Sequence, residues 1–151
     1  MNNEELKQKL SALYPSATFE EGGEFVTVFI EPAELLSAAN RLKDDPELQF
    51  NYMFCLTCVD WKTHFTMVYH FTSTTHRHNL VVKVKLDRNN PEVETLCFLW
   101  RTAELLEREV YDLFGVRFLH HPDLRRLLLT DDWTGYPLRK DYEDPVNMIK
   151  L

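Results

Sequence analysis

Residues 104–118, "ELLEREVYDLFGVRF", set Glu107, Arg108 and Glu109 side by side and follow them with Asp112. Carboxylates flanking an arginine suit three kinds of chemistry: proton transfer, cation binding, or the fastening of one protein surface to another. Proton transfer would need one carboxyl held neutral by a dry environment, which an interface can supply. No candidate nucleophile sits nearby in the sequence, so a catalytic role has little to act through. The spacing offers a plainer reading. Ala103, Leu106, Val110, Leu113 and Phe114 recur at helical intervals and form one apolar stripe, with Gly115 as the stop. Glu104, Arg108 and Asp112 fall four apart on another face, where Glu104 with Arg108, and Arg108 with Asp112, can pair for about 0.2–0.5 kcal/mol each. Periodicity alone therefore predicts an amphipathic helix over 103–114 with a solvated, ion-paired face.

Cys55 and Cys58 form a CxxC, the second arrangement with chemical potential. A structural zinc site needs four ligands at compact spacing, and Cys97 or some of the six histidines would have to complete it. The context, "FNYMFCLTCVDW", is an apolar and aromatic run without the glycines and prolines of a zinc knuckle, and it reads as a buried strand. Side chains three apart on a strand face opposite sides, so the two sulfurs should diverge. A redox CxxC sits at a helix start, which this context does not suggest. The expectation is three structural cysteines in a reducing compartment and no metal site. The competing reading is a freestanding metal-binding domain built on Cys55, Cys58 and the histidines.

These residues need elements to position them. "NEELKQKLSALYP" carries Leu6, Leu10, Leu13 and Tyr14 at helical spacing between an asparagine cap and Pro15. "ATFEEGGEFVTVFIE" reads as two short strands about a Gly22-Gly23 turn. Pro32 opens a second helix, "PAELLSAANRLKDD", expected to turn Leu35, Leu36, Ala39 and Leu42 inward. Strands follow over 50–59, 65–74 and 79–87. In the last, Val82, Val84 and Leu86 share one face and Lys83 and Lys85 the other. The order predicts an α+β or mixed α/β fold, one domain with helices packed on a mixed, largely antiparallel sheet. A chain of 151 residues, 44% hydrophobic and 13% aromatic, can bury a sizeable core. Its net charge of −7 argues against nucleic acid as partner. No apolar run reaches the roughly 18 residues of a membrane span. The polar N-terminus has no signal-peptide core, which points to a chain that is not exported.

Beyond 119 the pattern changes. Residues 120–151 are too apolar for a free tail and too aperiodic for a long helix. Trp133, Tyr136 and Tyr142 alternate with Asp131, Asp132, Arg139, Lys140 and Asp141, the mixture that protein interfaces enrich. The reading divides the chain into a globular part, 1–119, and an extended C-terminal arm, 120–151, for partner contact. The same composition would also suit a loop folded back over its own core.

The order of Glu107-Arg108-Glu109, Asp112, Leu113-Phe114-Gly115, His121-Pro122, the leucines 127–129, "TDDW" at 130–133, Gly135 and "PLRKD" at 137–141 resembles the signature of the C subunit of respiratory complex I, the NADH:quinone oxidoreductase. "LTCVDW" at 56–61 is similar to a strand of that family ending in Val-Asp. Related proteins occur in energy-converting hydrogenases, the photosynthetic complex and deazaflavin- or ferredoxin-linked dehydrogenases. The resemblance implies a peripheral-arm component on the cytoplasmic side of the membrane with no active site of its own. It implies flavin and iron–sulfur clusters on partner subunits and none here. It also implies packing against the large D subunit, which helps form the quinone site, and membership of the peripheral arm with its other subunits. The chain ends ten residues after Asp141, so contacts of longer-tailed relatives are expected to be missing. The implied interface comprises Glu107, Arg108, Glu109, Asp112, Trp133, Tyr136, Pro137, Arg139, Lys140 and Asp141. Within it Trp133 is the expected anchor, Arg139 a two-pronged donor to a partner carboxylate, and Pro137 the residue that keeps the backbone extended. Arg108 and Glu109 are expected to matter more for assembly than for folding, and the arm to be loosely held until the partner arrives.

Overall fold

The structure is a computed structural model that describes residues 1–149. Helix α1 (Asn3–Leu13) begins with a capping box: the Asn2 side chain accepts the Glu5 amide while the Glu5 carboxylate accepts that of Asn2. Leu6 and Leu10 are its buried face. Strands β1 (Thr18–Glu20) and β2 (Val26–Phe29) follow. A single 3₁₀ turn at Pro32–Glu34 leads into α2 (Leu35–Asp44), which buries Leu35, Ala38, Ala39 and Leu42. Leu36, expected inside, is 40% exposed. It lies about 100° around the helix from Leu35, off the stripe that Ala38 completes.

Three nine-residue strands build the centre: β3 (Tyr52–Asp60), β4 (His64–Thr72) and β5 (Asn79–Asp87). They form a continuous antiparallel meander, and β2 adds to β5 in parallel, giving the order β1-β2-β5-β4-β3. The mixed sheet with three helices is the expected class. On β5 the alternation holds: Val82, Val84 and Leu86 are buried, while Lys85 is exposed and Lys83 half-buried. Inward residues such as Met53, Leu56, Met67, Tyr69 and Val82 join the helical leucines in one core closed by Phe50, Phe65, Phe71 and Trp100. A small parallel pair, β6 (Glu92–Glu94) with β7 (Arg117–Leu119), brackets helix α3 (Thr102–Phe114). The register of β6 and β7 fixes both ends of that helix relative to the sheet.

Segment 120–149 contains turns but no helix or strand. It is not a loosely held arm. The Leu138 amide donates to the Leu113 carbonyl (3.1 Å) and that of Lys140 to Asp60 Oδ2 (2.9 Å). Arg88 spans Asp60 and Asp141, with 2.9 Å from Nη2 to each carboxylate. The aperiodic composition therefore serves the second of its two readings, a strap over the chain's own body. Asp60 is its buckle: 3% exposed, it also accepts the Lys62 amide that turns the β3–β4 hairpin. The paired Arg88 guanidinium holds its carboxyl well below the usual carboxylate range, helped by the Lys140 and Lys62 amides against the cost of burial.

A depressed folded-state pKa contributes stability that is full above the ordinary carboxylate value and drains away as pH falls below it. Asp60→Asn should therefore cost about 2–3 kcal/mol at neutral pH. In urea titrations the gap to the parent should narrow steadily below about pH 4. A pH-independent gap would mean that the charge of Asp60 is not what holds the strap.

Candidate functional site

Helix α3 carries the charged cluster, and its charges point inward. Glu107 and Asp112 are fully buried and Arg108 is 8% exposed, whereas Glu109 faces solvent. The expected ladder of Glu104, Arg108 and Asp112 on a wet face does not form. A solvated pair is worth little, and here segment 125–129 covers that face and offers backbone groups that need partners. Arg108 donates from Nε to the Arg125 carbonyl (3.1 Å) and from Nη2 to that of Arg126 (2.9 Å).

One turn on, Asp112 Oδ2 accepts three consecutive amides, those of Leu127 (3.2 Å), Leu128 (2.7 Å) and Leu129 (3.0 Å), and Oδ1 accepts Arg126 Nη1 (3.0 Å). Burial would push this carboxyl up, but the amides of Leu129, Leu128 and Leu127 and the Arg126 guanidinium outweigh it and hold it below the usual range. Because the three amides converge inward, their side chains cannot all follow. Leu128 is 65% exposed and Leu127 36%.

Arg126 continues the arrangement, donating to the carbonyls of Trp133 and Gly135 (3.0 Å each) and lying over the Tyr136 ring. Arg139 packs over the other residues of this corner: its guanidinium carbon is 4.9 Å from the Tyr136 ring centre and 5.2 Å from that of Phe65, and Nε donates to the Phe114 carbonyl (2.6 Å). Within the chain Arg139 thus closes the end of α3 through Nε. Gly115 makes the corner possible. Its φ of +76° is left-handed, and a Cβ there would sit 2.6 Å from Tyr136 Cε2 and 2.8 Å from Arg139 Nη2. Beside it, Tyr136 and Pro137 are half-buried, while the Lys140 side chain and Asp141 lie outside. Trp133 is half-buried, its indole N–H enclosed without a hydrogen-bond partner among the described residues.

The third inward charge, Glu107, faces another loop. It accepts the Leu96 amide (2.8 Å) and the Thr95 hydroxyl (2.5 Å), tying α3 to the corner after β6. Of the CxxC, Cys58 lies in the core and Cys55 half-exposed on the other side of β3. Burial pushes the Cys58 thiol up to about 12, which leaves little thiolate at neutral pH. Among the described residues no three His, Cys, Asp or Glu side chains gather as metal ligands. Sequence reasoning singled out most of the α3 cluster but missed Asp60, Arg88 and Arg126. A signal for Arg126 was present, since an irregular segment such as 120–149 needs side chains to satisfy its backbone.

Fold and site together define a small α/β body whose charged helix fastens its own C-terminal strap and turns leucines outward. This fold recurs in a solved structure of Nqo5, a trypsin-resistant fragment, at 28% identity and a TM-score of 0.70, covering 79% of this chain and 98% of that one. A chain of an archaeal membrane-bound sulfane sulfur reductase shares the fold at 24% identity and a TM-score of 0.79, over 93% of this chain and 85% of that chain. Residues 28–146 match the family model of the respiratory-chain NADH dehydrogenase 30 Kd subunit, and the chain belongs to that family, the C subunit of respiratory complex I. It is 40% identical to the NADH-quinone oxidoreductase C subunit of Roseiflexus sp. strain RS-1, covering 93% of this chain and 84% of the relative. With the C subunit of Moorella thermoacetica the identity is 41%, over 89% and 91%. The combined C/D subunit of Phocaeicola vulgatus is 43% identical over 80% of this chain, which accounts for 23% of that longer protein.

The inward charges give this site a folding signature. Asp112→Ala strands three amides and Arg126, and should cost about 3–5 kcal/mol. Arg108→Ala should cost about 2 kcal/mol through two unmet carbonyls, and Glu109→Ala about 0.5 kcal/mol or less, as an exposed position does. Urea denaturation of the three variants checks the ranking. Equal, small effects would show that Arg108 and Asp112 lie on a wet surface.

Proposed function

We propose that this chain is a non-catalytic subunit of NADH:quinone oxidoreductase that packs against the large D subunit and helps assemble the quinone-reducing module. The carrying observation is the C/D relative, in which a similar sequence is joined in one polypeptide to much more chain. Covalent fusion is tolerated where two modules work side by side. The chain's own geometry supports a docking role: Leu127 and Leu128 stand out from a loop made rigid by Asp112, and Leu138 (52% exposed) is pinned beside α3 through its amide. Rigid, protruding apolar side chains lose little entropy on binding. Leu105 (55% exposed) and Glu109 lie four apart on the free face of the same helix. In this reading the leucines are the anchors, Glu109, Lys140 and Asp141 the polar rim, and Trp133, Tyr136, Pro137 and Arg139 the underside that shapes the surface.

Flavin and iron–sulfur clusters then belong to partner subunits. Among the described residues no helix is long and apolar enough to cross a membrane, so attachment to the cytoplasmic side of the membrane runs through the partners.

Leu128→Asp tests the reading. Placed at a docking anchor it should weaken capture of the large D subunit by about 30-fold or more, the effect of losing a hot spot of about 2 kcal/mol, while the melting temperature of the chain stays unchanged. Normal assembly of the variant would refute the proposed surface. Elemental analysis of the purified chain should find no stoichiometric metal; one zinc or iron per chain, lost in Cys55→Ser, would restore the metal-domain reading.

A further inference from the structure

Glu107 is a carboxyl enclosed on every side, and among the described residues its surroundings supply hydrogen bonds but no Lys or Arg partner. The corner after β6 gives it the Leu96 amide and the Thr95 hydroxyl. That hydroxyl is itself held by the Cys97 amide (3.2 Å). Cys97 lies at the same corner, its thiol pushed up by burial. From β4 comes Tyr69, fully buried, its hydroxyl within electrostatic reach of Glu107 yet without a hydrogen-bond partner among the described residues. From β6, Glu94 adds a like charge, itself paired with His120 at the surface. On α3 the next residue, Arg108, has its guanidinium turned to the carbonyls of Arg125 and Arg126.

The remaining candidate for a counter-ion is His121, whose Nε2 lies 3.8 Å from Glu107 Oε2 with the side chain fully enclosed. Both of its ring nitrogens are already engaged. Nδ1 accepts the Asp123 amide (3.0 Å), so the ring proton sits on Nε2, where it donates to the Glu104 carbonyl (2.9 Å). A second proton on Nδ1 would break the Asp123 bond. In this arrangement Nε2 is spent on the Glu104 carbonyl and not on Glu107.

A buried carboxylate without a cation carries a heavy desolvation cost, and such a group avoids it by keeping its proton. We infer that Glu107 is a proton-binding group of the folded chain, a neutral carboxylic acid on the acid side of neutrality that gives up its proton, loosening the corner at 95–100, on the alkaline side. Burial pushes this carboxyl up to about 7, against the Leu96 amide and the Thr95 hydroxyl. The occupancy of the site therefore changes across the neutral range. The same corner presents Phe98, 73% exposed. The inference stands on this chain's geometry and is independent of the docking role.

A raised folded-state pKa makes the folded form bind the proton more tightly than the unfolded one. The stability it supplies is full below the ordinary value of 4.5, falls as pH rises, and levels off above about 7. Glu107→Gln is the matching neutral group: its oxygen can accept the Leu96 amide and its NH2 stands where the protonated carboxyl would donate to the Thr95 oxygen.

The experiment is urea unfolding of the full chain from about pH 4.5 to about pH 8, with amide exchange at Leu96. The unfolding constant of the parent should rise by about 150-fold relative to Glu107→Gln over that span. Leu96 protection should fall with it in the parent alone. A parent and variant with parallel pH profiles would overturn the inference, since a merely structural Glu107 would shift stability without changing its slope. Should the variant fail to fold, carboxyl carbon-13 NMR on the parent decides. Titration of Glu107 in the neutral range supports the inference, and titration at the ordinary glutamate value refutes it.

Discussion

Asp112 is the interaction on which the most depends. One buried carboxylate accepts three successive amides and a guanidinium, and so converts the irregular stretch 126–129 into a fixed object. An anion matched by several N–H groups is among the few buried charges that cost little, because each lone pair is met. Arg126 relays the hold to the carbonyls of Trp133 and Gly135, and Arg139 carries it to the end of α3. A helix and sheet are self-supporting; the strap is not, and its order comes from charged side chains reaching into backbone.

The same logic explains what was legible in the sequence. Strict alternation announced β5, and 3.6-residue spacing announced α1 and α2, since both patterns report a single buried face. Leu36 misleads because a run of leucines shows hydrophobicity without phase, and Ala38 completes the stripe. The inward charges of α3 were readable in part. Ala103, Glu107, Val110 and Phe114 recur at intervals of four, three and four, which puts Glu107 on the buried stripe. Arg108 and Asp112 were not readable, because what covers them is an aperiodic segment whose path no local pattern encodes. The three-residue strands β6 and β7 were invisible for a related reason: each is shorter than one alternation period repeated twice, and their pairing is entirely non-local. The family motif marked several residues of this cluster that periodicity could not, without saying which way they faced.

The proposed docking surface and the stability of the fold draw on the same residues. In many docking proteins the anchors are independent of the core, and a surface can be altered freely. In this chain the exposed leucines are displayed by the residue that buries their amides, so the outward surface is an extension of the interior. Gly115 tightens the coupling, because the turn that ends α3 also makes room for Tyr136 and Arg139.

The buckle at Asp60 joins residues that lie 80 positions apart, Asp60 at the tip of the central hairpin and Lys140 in the strap. Closing so long a loop is entropically expensive, so the contact forms after the nearer strands have paired. On the ribosome the delay is greater, since all the intervening chain must be made before Lys140 emerges. The leucine surface, fastened by the same strap, is therefore assembled late in translation. A nascent chain interrupted before Lys140 can pair the central strands but lacks the residue that closes the strap on Asp60, so the outer face is the last part of the fold to be completed.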